Sequence, residues 1–178
     1  MSMINYAYSE CRDFIENGDI LFFYKGKHIF SKITQMMTNG PFCHAGMAFK
    51  MIIPGSVESR VFVVEQHNGG QRLVTLSSCV DNYTGFFLMS NPVHWDKFGP
   101  ELVSRSGFIK YSYLDLVTIS VRETFGVKLK DHQGEVCSEM IAKVLINNGI
   151  NLKTSMVSPN QLYRDMTALG YKSKYIDF

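Results

Sequence analysis

Several things are missing from this sequence, and each absence narrows what the chain can do. No apolar run is long enough to span a bilayer, so no transmembrane segment is expected. Residues 1–8 hold no charged stretch followed by an apolar one, so no secretory signal is expected. The default compartment is then cytoplasmic, with association with a virion as the alternative. Charge of one sign is missing too. Lys and Arg number 18 against 16 Asp and Glu, a net charge of +2 with no basic stripe, which speaks against a nucleic-acid partner. Cysteine is scarce. Cys11, Cys43, Cys79 and Cys137 form no CxxC pair, which argues against a zinc site and for a reducing compartment. Walker loop, GxGxxG, HExxH and GxSxG are all absent. Nucleotide, zinc-protease and serine-hydrolase chemistry therefore have no support, and neither a cofactor nor a metal is expected. No repeat, low-complexity segment or linker interrupts residues 1–178, so a single domain is expected.

What is present is an ordinary globular composition, 46% hydrophobic and 19% charged, in a chain long enough for a real core. Residues 19–24 form a nearly continuous apolar run, the pattern of a strand buried on both faces. Further strands are expected over residues 43–49, 61–67, 71–76 and 85–89, with a hairpin turn at Asn68-Gly69-Gly70. Phe22, Phe23, Phe86 and Phe87 read as core rather than as a ligand platform. Helices are expected over residues 9–17 (closed by Gly18), 28–38 and 101–108, and from Ser112 to Gly126. Ser158-Pro159-Asn160-Gln161 has the form of a capping box with proline at the first helical position, and Gly170 ends that helix. Strands dominate the first half and helices the second. The expected class is α+β, a mainly antiparallel sheet packed by helices.

The chemistry centres on one more helix. After a loop at Gly134, apolar residues recur at Val136, Met140, Ile141, Val144 and Leu145, and Gly149 stops the pattern. Cys137 falls in the first helical turn, where unpaired N–H groups and the macrodipole favour a thiolate. It is either a small core hydrophobe or, given a histidine partner, a nucleophile. His44 is the histidine to pair with it. Alternation sets His44, Gly46 and Ala48 on one strand face, and small neighbours leave room beside the ring. Cys43, Ala45, Met47 and Phe49 take the other face, which turns Cys43 away from His44. His67 reads as a surface residue beside a glycine-rich turn, and His28, His94 and His132 as solvated. Glu65 follows the apolar run 61–64. It sits at an exposed strand end, or it is paired inside, where it can orient His44 as the third member of a triad does.

These stretches together resemble a known pattern. Gly18-Asp19-Ile20-Leu21-Phe22-Phe23 is followed by Phe42-Cys43-His44-Ala45-Gly46-Met47, then by Val63-Val64-Glu65, and much later by Val136-Cys137-Ser138-Glu139. The order is similar to that of the circularly permuted papain-like amidases of the NlpC type, in which the histidine strand precedes the cysteine helix. Ser158 to Leu162 fits the same pattern. Cys43 stands where the family has Ser or Thr, and Val136 where it has an aromatic residue. The resemblance implies a circularly permuted papain-like fold and a cysteine peptidase or amidase. Its Cys137, His44 and Glu65 would form a triad that cleaves amide bonds in cell-wall peptides, acylated amines or lipids. Acyl transfer through the same thioester is the first alternative. A non-catalytic binding or structural module, for instance in a virion, is the second.

Overall fold

The apolar runs of the first half pair with one another. In the computed structural model, which describes residues 8–27, 35, 40–52, 59–67, 70–104 and 136–178, they form β1 (Ile20–Tyr24), β2 (Phe42–Ile52), β3 (Ser59–His67), β4 (Gly70–Thr75) and β5 (Gly85–Met89). With β6 (Ser173–Asp177) they make a six-stranded sheet in the order β4-β3-β2-β1-β5-β6. Every neighbouring pair is antiparallel. The described helices are α1 (Tyr8–Cys11), α2 (Gly99–Ser104), α3 (Cys137–Asn147) and α4 (Pro159–Ala168). The expected α+β class with a mainly antiparallel sheet is the one observed. Among the described residues no helix is long and apolar enough to cross a membrane. The helix expected over residues 28–38 (Gln35 apart), the turn at Asn68 and Gly69, residues 105–108, the helix from Ser112 to Gly126 and the loop at Gly134 lie outside the described residues. So do His28 and His132.

β1 is apolar throughout because both faces of the sheet are covered. Ile20 and Phe22 join a cluster with Met140, Ile141 and Leu145 of α3 and Leu162 and Met166 of α4. Leu21 and Phe23 point the other way and pack with Cys11, Ile15, Leu76 and Phe86. Phe22, Phe23 and Phe86 are fully buried, as core residues should be. Each large apolar side chain so enclosed contributes roughly 1.5–3 kcal/mol. Gly149 and Gly170, read as stops, do follow the ends of α3 and α4, with φ of 89° and 94°; Gly18 also has a positive φ, 89°, but lies beyond the end of the helix it was expected to close.

Two local expectations need correction. The helix over residues 9–17 stops at Cys11 and continues only as a 3-10 turn, Arg12–Phe14. Its would-be last turn is recruited elsewhere, because the Asp19 carboxylate accepts the Glu16 N–H at 3.0 Å. The simple alternation of β2 also fails at one point. Phe23 pairs with His44 but Tyr24 pairs with Phe42, so Cys43 is the extra residue of a bulge. Its thiol is held there, accepting from Gly26 N–H at 3.2 Å and reaching Phe23 O at 3.6 Å. Beyond the bulge the alternation holds: Ala45 and Met47 face the helices and Ala48 the opposite layer.

Helix α4 begins as its sequence says. Ser158 is the N-cap, its hydroxyl accepting from Gln161 N–H at 3.1 Å, with Pro159 next. The following residue, Asn160, clamps the start of β2. Its Oδ1 accepts from Phe42 N–H at 3.0 Å, and its Nδ2 donates to Phe42 O at 2.8 Å. Asn160 is 2% exposed, so the clamp is shut off from bulk water. We expect Asn160→Ala to cost about 2–4 kcal/mol, because it strands a buried N–H and a buried C=O together. Urea denaturation measures this; a loss under about 0.5 kcal/mol would show that the clamp is dispensable.

Candidate active site

The sheet opens where the chemistry sits. The ladder between β2 and β3 ends at Met47–Val64, although both strands run on to His44 and His67. Gly46 is what lets them lie so close there. A Cβ on it would meet Val63 Cγ1 at 2.4 Å and approach Glu65 Cβ at 3.7 Å. Ala48 hydrogen-bonds toward β1, through Gly18 N–H and Asp19 O. By alternation the main chain of Ala45 is directed away from β1, to the open side. There the Cys137 sulfur accepts backbone hydrogen bonds from Ala45 and from Ser138.

Cys137 is the first residue of α3, with Val136 as N-cap, so its sulfur lies at the positive end of the helix. The helix is anchored beside it. Ser138 Oγ donates to Val157 O at 2.5 Å, and Glu139 pairs with Lys143 at 3.1 Å. Cys137 and His44 share a side-chain hydrogen bond. His44 Nε2 lies 2.7 Å from Glu65 Oε2, which leaves Nδ1 for the cysteine. Phe23 stacks on the imidazole at 5.7 Å, and Tyr83 lies parallel to it at 6.1 Å. The structure thus brings together all three residues singled out in the sequence. Cys137, His44 and Glu65 are all buried, at 5%, 8% and 2% exposed. Of the two placements open for Glu65, the paired one is found.

Burial would raise the Cys137 thiol, but the His44 charge, its hydrogen bond and the two backbone donors together lower it below its ordinary value. Cys11 and Cys79 go the other way, pushed up to about 11 and about 12 by burial. Burial also opposes an imidazolium at His44. The Tyr83 phenol, the Cys137 sulfur and the Glu65 carboxylate outweigh it and raise His44 well above its ordinary value. Burial pushes Tyr83 itself above the usual phenol range, so at neutral pH it offers a ring and not a charge. The working charges on His44 are therefore those of Cys137 and Glu65. Glu65 is held at about 2 against its own burial, first by His44 and then by Arg72.

Arg72 is the residue that sequence reading missed. Its Nε and Nη2 donate to Glu65 Oε1 at 2.8 and 2.7 Å. Glu65 and Arg72 are cross-strand partners in the β3–β4 ladder. A hairpin with His67 opposite Gly70 sets that pairing, so the opposite charges at 65 and 72 were the signal available. His67 is half-buried rather than on the surface, and burial with the nearby Arg72 charge lowers its pKa. His94 is exposed, as expected. No group of three or more His, Cys, Asp or Glu among the described residues is arranged to hold a metal ion.

Glu65 carries a stability prediction. Its carboxyl lies at about 2 when folded and near 4.5 when free, so folding favours the ionised form. That contribution is present above pH 4.5 and is lost as pH falls toward 2. It amounts to on the order of 3 kcal/mol. Wild type should therefore lose stability across this window, and Glu65→Gln should show a flatter slope there. Equal slopes in urea titrations at pH 5 and pH 3 would contradict the pairing.

No protein-family model matches the chain, and no curated protein matches it in sequence.

Proposed function

We propose that this chain is a thiol hydrolase of circularly permuted papain-like fold that cleaves amide bonds in a peptide or acylated-amine substrate. The observation that carries the reading is one line of buried contacts. It runs from a cysteine at a helix N-terminus, through His44, to a carboxylate 2.7 Å beyond. A core cysteine needs no such line; a nucleophile does. The chain order, histidine strand, then glutamate strand, then cysteine helix, supports the permuted arrangement.

In this mechanism the Cys137 thiolate attacks the amide carbonyl carbon. The oxyanion forms at the start of α3, where the Cys137 N–H is one donor. The C–N bond breaks as the His44 imidazolium gives its proton to the leaving nitrogen. The amine departs and the acyl group stays as a thioester. His44 then takes a proton from water as the oxygen adds to the thioester carbon. The C–S bond breaks, the acid leaves, and the thiolate–imidazolium pair is restored. Glu65 holds the ring in place throughout. An alcohol or amine entering in place of water turns the same cycle into acyl transfer.

The test is a burst experiment with p-nitrophenyl acetate at pH 6, read together with intact mass. One equivalent of nitrophenol and one acetyl group on Cys137 are expected. Iodoacetamide at the same pH should label Cys137 well ahead of Cys11, Cys43 and Cys79. Equal labelling of all four thiols, with no burst, would leave a scaffold without a nucleophile.

A further inference from the structure

The buried triad is not electrically complete by itself. In its reactive form it holds a thiolate, an imidazolium and a carboxylate, a net charge of −1 on residues no more than 8% exposed. Enclosing an uncompensated charge is expensive. A fourth group stands at the end of the line. Arg72 aims both Nε and Nη2 at a single oxygen of Glu65, Oε1, while the other oxygen, Oε2, faces His44. The carboxylate is thus divided between two partners. An ordinary exposed ion pair contributes little. Here the carboxylate side chain is 3% exposed while the Arg72 side chain is 48% exposed, so the charge is compensated by a group that itself stays hydrated.

We propose that Arg72 is a fourth member of the site, a positioning residue that neutralises the triad's net charge and fixes the Glu65 carboxylate toward His44. The proposal rests on the thiol-hydrolase reading above. Among the described residues the other titratable groups around Glu65 are His44, His67, Cys79 and Tyr83. Burial holds Cys79 and Tyr83 neutral, and His67 is lowered, so none of these three supplies a positive charge at neutral pH. Besides the His44 imidazolium, that leaves Arg72. It lies on β4, at the edge of the sheet, and substitution there is expected to spare the fold.

The sign of the effect follows from the charge. Removing a cation beside the site makes every proton there harder to lose. The thiolate should then form at higher pH, and the imidazolium should persist to higher pH. The experiment is the pH profile of Cys137 alkylation by iodoacetamide in wild type, Arg72→Met, Arg72→Gln and Arg72→Lys, each checked by thermal melting. The two neutral variants should shift both limbs of the profile up by about one pH unit. Arg72→Lys, with its charge kept, should return the profile to within about 0.3 unit of wild type. A residue serving only to cover Glu65 would not separate charge-keeping from charge-removing variants. Two results overturn the proposal: a depressed wild-type Cys137 pKa that the neutral variants leave in place, or equal shifts in all three variants. If wild-type Cys137 itself titrates like a free thiol, the hydrolase reading fails first and the role of Arg72 with it. Should one neutral variant not fold, the other gives the same reading.

Discussion

Cys137→Ala is expected to abolish turnover of amide or activated-ester substrates, by at least about 10⁴-fold. The reason is chemical rather than structural. The acyl group must pass through a covalent bond, and it is Cys137 that has the side-chain hydrogen bond with His44 and the lowered thiol pKa. Cys43 is the nearest in sequence, but its thiol is engaged at the β2 bulge by Gly26 N–H and Phe23 O. Cys79 is buried with its pKa pushed up to about 12, so almost none of it is thiolate at neutral pH. The fold should survive. One sulfur atom is lost from the first turn of α3, and the anchors of that turn, Ser138 to Val157 and the apolar face from Met140 to Leu145, remain. The stability cost should be about 1–2 kcal/mol. The measurement is p-nitrophenol release beside a thermal melt. Turnover within tenfold of wild type, in a chain that still folds, would remove Cys137 from the chemistry.

How much of this was legible in the sequence depended on whether the signal was periodic. Strands β1 and β5 and helix α3 read correctly because burial on two faces, or along one helix stripe, leaves runs that local pattern captures. The Ser158 cap and its proline read correctly because capping is chemistry between residues three apart. β6 did not announce itself. Ile176 is its only buried side chain, and an edge strand with one buried residue has no alternation to detect. The bulge at Cys43 was invisible for a related reason. It is set by how β2 registers on β1, a long-range fact. In the site, Cys137 and His44 were legible from local context, a helix start and a strand of small residues. Glu65 was half legible: its polarity at the end of an apolar run was plain, but its partner lay on another strand. Tyr83, in the loop before β5, carried no sequence signal at all. Asn160 stood within a recognised capping box, yet its work is done on Phe42, 118 residues away.

His44→Ala should be nearly as damaging as loss of the nucleophile, and its signature is a change in acidity rather than only in rate. In the folded protein burial pushes the Cys137 thiol up, and the His44 charge and hydrogen bond pull it down past its ordinary value of 9.0. Removing the ring deletes the pull and leaves the push. The backbone donors at Ala45 and Ser138 and the start of α3 remain, but they act on a sulfur with no cation beside it. We therefore expect the thiol of His44→Ala to titrate well above the wild-type thiol. Alkylation at pH 6 should fall by on the order of 100-fold or more. Turnover should fall about as far as in Cys137→Ala, since residues that act as one unit do not contribute separately. Glu65 should keep its ion pair with Arg72, 2.7 Å away, so the pocket is left with paired charges and the chain should fold. Thiol absorbance followed against pH in wild type and His44→Ala decides the matter. A Cys137 that ionises at the same pH in both owes nothing to His44. Its acidity would then come from the helix and backbone alone, and the chain would lack the proton donor that amide cleavage requires.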